Sequence, residues 1–480
     1  MSRFFRLIKY EFSKLAQRTT TKISILCIVL AILGANLYFM ISQQNSGTDQ
    51  DEWMSYNRVA LSMAEENYRQ LTSFTIYEEA QARQLQLAQA DIQVYHLIIQ
   101  RNIVQDSWQH MMIMEYYLPS MRNYWLSLNP LTVGEVENAE YHKSIIDRVE
   151  TLLNEDDWRG FAEMVHELRL RNGEYMDVPG VVEIYEQALE MRLEYDIVPD
   201  NLADNWKNRL LSEYVNNKVL ACVNDNIQLT TQELQQMEAD NSVIEYRLRT
   251  GTPPDDDEVV SPFTADVEKV LSYSWVLVLF IIVISAKMLA GEYSEGTLYM
   301  LVTSPFRRWK IWLAKFITCI FSSIFILIVM FLLTVVLSGV QNGFEMLGKE
   351  YLYIENDVLL SMPYVIRLLY EFLFCMLEMI MTIAAIFLLS TIFNSSILAI
   401  IIGTLYTTVS NLILIFTPDE TWQGIQRLFL FSHGRLSAFF STDINVGQFA
   451  SLGVTVSLML AAFVVMGAVS LMIFNKRDIV

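Results

Sequence analysis

Two glutamates interrupt an apolar stretch that is otherwise long enough to cross a bilayer. Glu371 and Glu378 are separated by two helical turns, so in a helix they share one face. Ionisable groups at membrane depth face a bundle interior or a cavity and are candidates for function. Arg367, one turn before Glu371, is its expected ion-pair partner. For Glu378 a buried polar contact, a substrate cavity and proton or ion coupling all stay open, and Asn411 is expected to bond between helices.

A second group of residues combines carboxylates, a glycine, a proline and basic side chains between two apolar stretches. The residues are Glu292, Glu295, Gly296, Thr297, Leu298, Pro305, Arg307 and Arg308. Gly296 and Pro305 can bracket a short helix, which could dock on a soluble partner and transmit a rigid-body displacement. A Lys or Arg at the same membrane interface could pair with Glu292. The alternative is a plain amphipathic connector with solvated charges.

The N-terminal residues form an amphipathic pattern at helical spacing. The candidate interface residues are Phe4, Phe5, Ile8, Lys9 and Phe12, with the phenylalanines and Ile8 on one side. Such a helix lies in the plane of the membrane interface. It either orients the first membrane span as a positive anchor or contacts a partner.

Charge divides the chain into two kinds of segment. Residues 42–269 carry 41 acidic and 17 basic side chains, a net charge of −24, whereas the whole chain has a net charge of −20 and 53% hydrophobic residues. Four cysteines and five histidines form no metal-ligand spacing, so no metal site is expected. No Ser/His/Asp arrangement indicates an enzyme, and no basic and aromatic pattern indicates nucleic-acid binding.

Six apolar stretches are long enough to span a membrane as helices. They are 23–41, 270–290, 316–340, 365–391, 396–416 and 449–474. Lys and Arg concentrate before the first stretch, between 287 and 315, and after the sixth stretch. Because cytoplasmic loops carry this excess, both termini are predicted in the cytoplasm and the acidic segment outside. The Pro- and Gly-free run from Glu78 to Leu118 predicts that this outer segment is helical.

The loop after the second stretch resembles the cytoplasmic coupling loop of type-2 ABC exporter permeases. That family shows an acidic residue, Gly-Thr-Leu, a short apolar stretch, Pro and basic residues, matched here by Glu292 or Glu295, Gly296 to Leu298, Pro305, Arg307 and Arg308, and Lys315. The resemblance covers about 1–45 and 265–480. The family's first outer loop is usually short, so the acidic segment departs from it.

The resemblance implies an all-α fold with six transmembrane helices and a large helical extracellular domain inserted after the first. The expected domains are a cytoplasmic interface helix (1–22), the first span (23–41), the acidic extracellular domain (42–269) and the remaining spans (270–480). The last part contains a cytoplasmic coupling loop (291–312) and an outer re-entrant segment (417–448), for which an ordinary loop is the alternative.

The implied function is that of a plasma-membrane permease subunit that exports a peptide, lipid-like or drug-like substrate. No cofactor is expected on this chain, because ATP and Mg would bind to separate ATP-binding cassette ATPase subunits. A second permease subunit, identical or different, and membrane lipid are the other expected partners. The alternative from another class is a membrane sensor whose outer domain binds a peptide or cationic ligand.

Overall fold

The computed structural model is mostly helical and divides into two compact units. We call Met1–Gln43 together with Pro254–Val480 the bundle unit, and Gln44–Pro253 the insert. The insert falls within the predicted outer domain, and residues from Pro254 onward cluster with the bundle unit. The structure describes residues 3–19, 21–23, 26–27, 30, 33–34, 50–73, 79–127, 138–173, 180–223, 228–255, 257, 261–272, 275–294, 307–355, 358–416, 440, 442 and 452–476.

Sixteen α-helices are numbered here along the described residues. They are α1 (Arg3–Gln17), α2 (Gln50–Thr72), α3 (Glu79–Gln100), α4 (Trp108–Met112), α5 (Leu118–Ser127), α6 (Ala139–Glu155), α7 (Trp158–Arg171), α8 (Val181–Glu194), α9 (Trp206–Cys222), α10 (Thr231–Thr250), α11 (Pro262–Ser272), α12 (Trp275–Ser294), α13 (Arg308–Asn342), α14 (Tyr364–Phe393), α15 (Ser396–Phe416) and α16 (Leu452–Lys476). A π-helical turn, Ile113–Tyr117, joins α4 to α5.

The insert buries two apolar clusters of its own. The larger cluster lies on α3 to α7 and includes the fully buried Ile98, Met112 and Met164. The smaller cluster lies on α8 to α10 and includes Ile197 and Leu211. Burying apolar side chains stabilises folding by about 1.5–3 kcal/mol for each large one, so these two clusters hold the helices of the insert together.

The Pro- and Gly-free run from Glu78 to Leu118, predicted to be helical, contains more than one helix in the structure. Helix α3 ends at Gln100, and the chain turns before α4 begins at Trp108. Asn102 and Asp106 adopt left-handed backbone angles, with φ of 50° and 62°. Asn and Asp tolerate this conformation better than other non-glycine residues, so the chain can turn between α3 and α4 without Pro or Gly.

Helix α14 is the centre of the bundle unit and packs against α12, α13, α15 and α16. Aromatic rings fill the contact between α13 and α14: the Trp312 and Phe316 centroids lie 4.7 Å apart, and Phe316 lies 5.1 Å from Phe387. The Trp312 indole N–H donates to Ser470 Oγ on α16 at 3.2 Å. The buried indole N–H therefore has the hydrogen-bond partner that a buried polar group needs.

Three helices in the described part of the chain are long and apolar enough to cross a membrane. They are Arg308–Asn342, Tyr364–Phe393 and Leu452–Lys476, and they overlap the predicted stretches 316–340, 365–391 and 449–474. Large apolar side chains, including Phe321, Phe325 and Leu332, stand exposed along α13, as expected for a surface that meets lipid. The chain is therefore a membrane protein, and the total of six spans stays a prediction. Most of 23–41 lies outside the described residues.

The all-α prediction misses one β-hairpin. Strands β1 (Glu350–Glu355) and β2 (Val358–Pro363) pair antiparallel between α13 and α14, with Leu352 opposite Ser361. Alternation of tyrosine with aliphatic residues in β1, followed by Asn-Asp, was the available signal for a hairpin. Burial raises the pKa of Tyr351 in β1, and the positive charge of Arg367 partly offsets this rise.

Close packing of α15 on its neighbours requires a glycine at position 403. A Cβ added there would lie 2.3 Å from Ile386 Cδ1 and 3.3 Å from Ile282 Cγ2. Gly403→Leu is expected to destabilise the bundle unit by about 1–3 kcal/mol through overpacking, measured as a lower unfolding temperature in detergent. Gly467→Leu on α16 is the matched control, because no atom lies within 4 Å of a Cβ added there. Equal losses for the two variants would contradict this packing.

Candidate functional site

Helix α1 docks on α13 through a face that includes a carboxylate. Leu7, Glu11 and Leu15 are spaced by one turn each and are all buried, with Glu11 fully inaccessible to solvent. Only part of the predicted apolar side packs on the bundle, since Phe5 and Phe12 remain 60% and 45% exposed. The helix therefore has one face that packs on the bundle and a second apolar face that is exposed.

Smaller contacts extend the docking of α1. Leu7 packs with Ile311 and Ala314 of α13, and the half-buried Phe4 and Ile8 pack against this group. Lys9 is exposed. Of the predicted interface residues, Phe4 and Ile8 thus contact the bundle, while the remaining three point away from it.

A cluster of four charges lies where α1 meets α12 and α13. We call Glu11, Lys14, Glu292 and Lys315 the Lys315 cluster. Lys315 Nζ donates to Glu11 Oε2 at 3.0 Å and to Glu292 Oε1 at 2.7 Å. Lys14 Nζ donates to the same Glu292 oxygen at 2.6 Å. The cluster joins α1 to two consecutive helices, α12 and α13, that are distant from it in sequence.

Burial makes the electrostatics of the Lys315 cluster demanding. The side chains of Glu11, Glu292 and Lys315 have 0% exposure, and that of Lys14 has 27%. Two ammonium groups balance two carboxylates, so the cluster is neutral when all four are ionised. Neutrality matters because an unpaired buried charge costs several kcal/mol. Glu11 Oε1 and Glu292 Oε2 are buried without hydrogen-bond partners among the described residues, so each carboxylate is only half satisfied.

A further bond ties the segment after α1 to α12. Arg18 donates through Nη1 to the backbone carbonyl of Lys287 at 2.9 Å. In the Lys315 cluster Glu292 has two lysine partners, so its expected pairing with a basic side chain is present. Glu11 and Lys14 were missed as site residues, and the available signal was a glutamate between Leu7 and Leu15 on an apolar face.

Most of the predicted coupling loop lies outside the described residues. The predicted site residues that lie there are Glu295, Gly296, Thr297, Leu298 and Pro305. Arg307 is described at the N-cap of α13, where it is exposed and extended, and the half-buried Arg308 opens the helix. Both arginines thus lie two turns before Lys315.

Glu371 and Glu378, the two intramembrane glutamates, lie on α14 and are not part of the Lys315 cluster. Arg367 Nη1 donates to Glu371 Oε2 at 2.7 Å, so the expected pair is present. The Arg367 guanidinium also lies 5.1 Å from the Tyr351 ring centroid. Glu378 is 7% exposed. The side chain of Asn411 and nearly all of 417–448 lie outside the described residues.

No group of three or more potential ligands for a metal ion occurs in the part of the chain that the structure describes. What the site contains is a buried set of ion pairs at one end of a membrane bundle. Such a set can hold three helices in one arrangement.

Comparison with known proteins identifies the family. The profile of the ABC-2 family transporter proteins matches residues 7–479. The chain belongs to this family. Its members are membrane components of ABC transporters, and the match includes every member of the Lys315 cluster.

One curated relative is an uncharacterized protein of Bacillus subtilis (strain 168), YhcI. It is 24% identical over 158 residues, which is 32% of this chain and 50% of that protein. The match thus spans half the length of the relative. No solved structure matched the chain.

Lys315→Met tests whether the cluster depends on the central ammonium. The substitution leaves Glu11 facing Glu292 without their shared donor, and losing one partner of a buried pair costs about 3–5 kcal/mol. We expect a lower unfolding temperature in detergent than for Lys349→Met, which removes an exposed lysine from the same unit. Adding Glu11→Gln and Glu292→Gln to Lys315→Met should recover part of the loss. An unchanged unfolding temperature in Lys315→Met would show that the cluster does not stabilise the bundle.

Proposed function

We propose that the chain is the membrane-spanning permease subunit of an ATP-binding cassette exporter. Separate ATPase subunits would bind ATP and Mg in the cytoplasm, and the substrate would be a peptide, lipid-like or drug-like molecule crossing the plasma membrane. The observation that carries the proposal is the Lys315 cluster, since it ties the predicted interface helix to both ends of the predicted coupling loop. Family membership over residues 7–479 supports the same function.

The geometry supports a location of the basic segments on the same side of the membrane. Contacts of Lys14 with Glu292, and of Lys315 with Glu11, bring α1, the end of α12 and the start of α13 together. These are the segments whose Lys and Arg excess predicts a cytoplasmic location. Both termini would then be cytoplasmic and the insert extracellular.

The proposed mechanism uses the cluster as a mechanical connection. Closure of the ATPase subunits would displace the loop at 291–312, whose two flanking helices contribute Glu292 and Lys315. Because both side chains also contact α1, the three helices would move together as a rigid body. Repeated opening and closing of a pathway between two permease subunits, identical or different, would then move the substrate.

The free face of α1 supports an interfacial position for this helix. Phe5, Tyr10 and Phe12 are exposed, while Leu7 and Leu15 pack on the bundle. Aromatic side chains beside basic ones are typical of helices that lie at a membrane surface. Phe5 and Phe12 would contact lipid or an ATPase subunit.

Co-purification from native membranes tests the proposal directly. We expect an ATP-binding cassette ATPase as a stoichiometric partner of the wild-type chain. Glu292→Gln should reduce the retained ATPase about tenfold, which corresponds to ~1.4 kcal/mol of binding free energy, because the loop loses its anchor. Glu345→Gln is the matched control, since it neutralises an exposed glutamate of the same unit.

A second pair of variants separates docking from stability. Lys14 is the partly exposed member of the cluster, so Lys14→Gln should destabilise the bundle unit less than Lys315→Met and still reduce ATPase retention several-fold. Lys22→Gln removes the same charge from an exposed position nearby and should retain the ATPase. Wild-type retention in both Lys14→Gln and Glu292→Gln would argue against a coupling role.

The size and separate cores of the insert favour one alternative, a membrane sensor. In that function the acidic insert would bind a peptide or cationic ligand, and the cytoplasmic loops would bind a sensor kinase. Recovery of a histidine kinase without an ATPase in the same co-purification would support the sensor and contradict the exporter.

A further inference from the structure

The insert contains a cavity of ≈ 400 Å³. Its walls are formed by the π-helical turn Ile113–Tyr117 and by helices α7, α8 and α9. Pockets for small organic molecules commonly have volumes of about 300–1,000 Å³. The cavity is therefore large enough for a molecule of a few tens of atoms or fewer, and it is separate from the Lys315 cluster.

The wall of the cavity is largely apolar. Phe161, Val165, Leu189, Leu211 and Val219 contribute side chains from three helices. An apolar lining with a few polar groups is the usual composition of a small-molecule site, because apolar contacts give affinity and polar groups fix orientation. The lining predicts a ligand with an apolar body.

The half-buried charges in the wall are positive. Arg169 and Arg192 are half-buried, whereas Glu115 is exposed. Arg192 Nη1 donates to the Ile197 carbonyl at 3.2 Å, and no carboxylate lies within ion-pair distance of Arg192 among the residues that the structure describes. Burial lowers the pKa of Arg192 to about 10; Asp200 opposes this shift and Arg169 adds to it. A guanidinium in this position would gain a bidentate partner from a bound carboxylate.

Two further features of the wall are typical of a binding site. Asn208 is 5% exposed and donates to the Asp200 carbonyl at 2.6 Å, while its own Oδ1 has no partner among the described residues. Glu115 and Tyr116 reach the wall from the π-helical turn, a distortion that occurs frequently at functional sites.

We propose that this cavity binds a small organic acid that combines an apolar body with one carboxylate. Arg192 would bind the carboxylate, with Arg169 adding positive charge, and the apolar body would contact Phe161 and Leu211. The segment that contains the cavity carries a net charge of −24. Acid binding would therefore depend on these local groups and not on attraction by the whole domain. The proposal is independent of the coupling role of the Lys315 cluster.

A matched pair of ligands tests the proposal on the full chain in nanodiscs. The probes are N-acetyl-leucyl-phenylalanine with a free carboxylate and the same compound as an uncharged amide. Equilibrium dialysis against empty nanodiscs measures binding and subtracts partition into lipid. We expect the acid to bind at least about tenfold more tightly than the amide, because only the acid can pair with Arg192. Equal binding of the two probes, or no binding of the acid at millimolar concentration, would overturn the proposal.

Variants locate the binding. Arg192→Gln should weaken acid binding about tenfold and leave amide binding nearly unchanged. Arg148→Gln removes an exposed arginine that pairs with Glu167 outside the cavity, so it should bind the acid like the wild type. Wild-type affinity in Arg192→Gln would contradict the proposed contact.

A second variant keeps the proposal testable if Arg192→Gln folds poorly. Ser212 lines the cavity at an exposed position, so Ser212→Trp should obstruct the opening without disturbing the buried core. We expect loss of acid binding in this variant with an unchanged unfolding temperature. Full acid binding by a folded Ser212→Trp protein would place the ligand elsewhere and refute the assignment.

Discussion

The bundle unit depends on one buried ammonium group that two carboxylates share. Lys315 bonds to a glutamate 23 residues before it and to another 304 residues before it. No single helix could bury these charges alone, because each would be left without a partner in a medium that solvates ions poorly. The requirement for neutrality therefore fixes the position of α1 relative to α12 and α13 more strictly than apolar contact could.

Packing in the rest of the bundle is less specific, because lipid solvates apolar side chains as well as another helix does. Association then depends on close contact and on polar bonds between helices. Helix α14 meets α15 where Gly403 leaves room for the Ile386 side chain, and α13 meets α16 where Trp312 bonds to Ser470. These contacts hold the helices together, while the Lys315 cluster determines which ends meet.

Local patterns were readable from the sequence, whereas long-range partners were not. The Arg367–Glu371 pair lies within one helical turn, so spacing alone predicted it. The need of Glu292 for a basic partner was also predictable, but the choice of Lys315 and Lys14 depends on how three helices pack. Glu11 was missed because a glutamate on an amphipathic helix is usually solvated, and only docking on α13 buries it. The hairpin at 350–363 was missed because its strands are short and lie between two strongly helical segments.

The two units treat buried positive charge in different ways. In the bundle unit Lys315 is paired twice within the chain, so its charge stabilises the fold and offers nothing to an outside ion. In the insert Arg192 donates to a backbone carbonyl and lines a cavity together with Arg169. Among the described residues, no carboxylate lies within ion-pair distance of Arg192, whereas two lie beside Lys315. The difference favours a structural use of charge in the bundle and a recognition use in the insert.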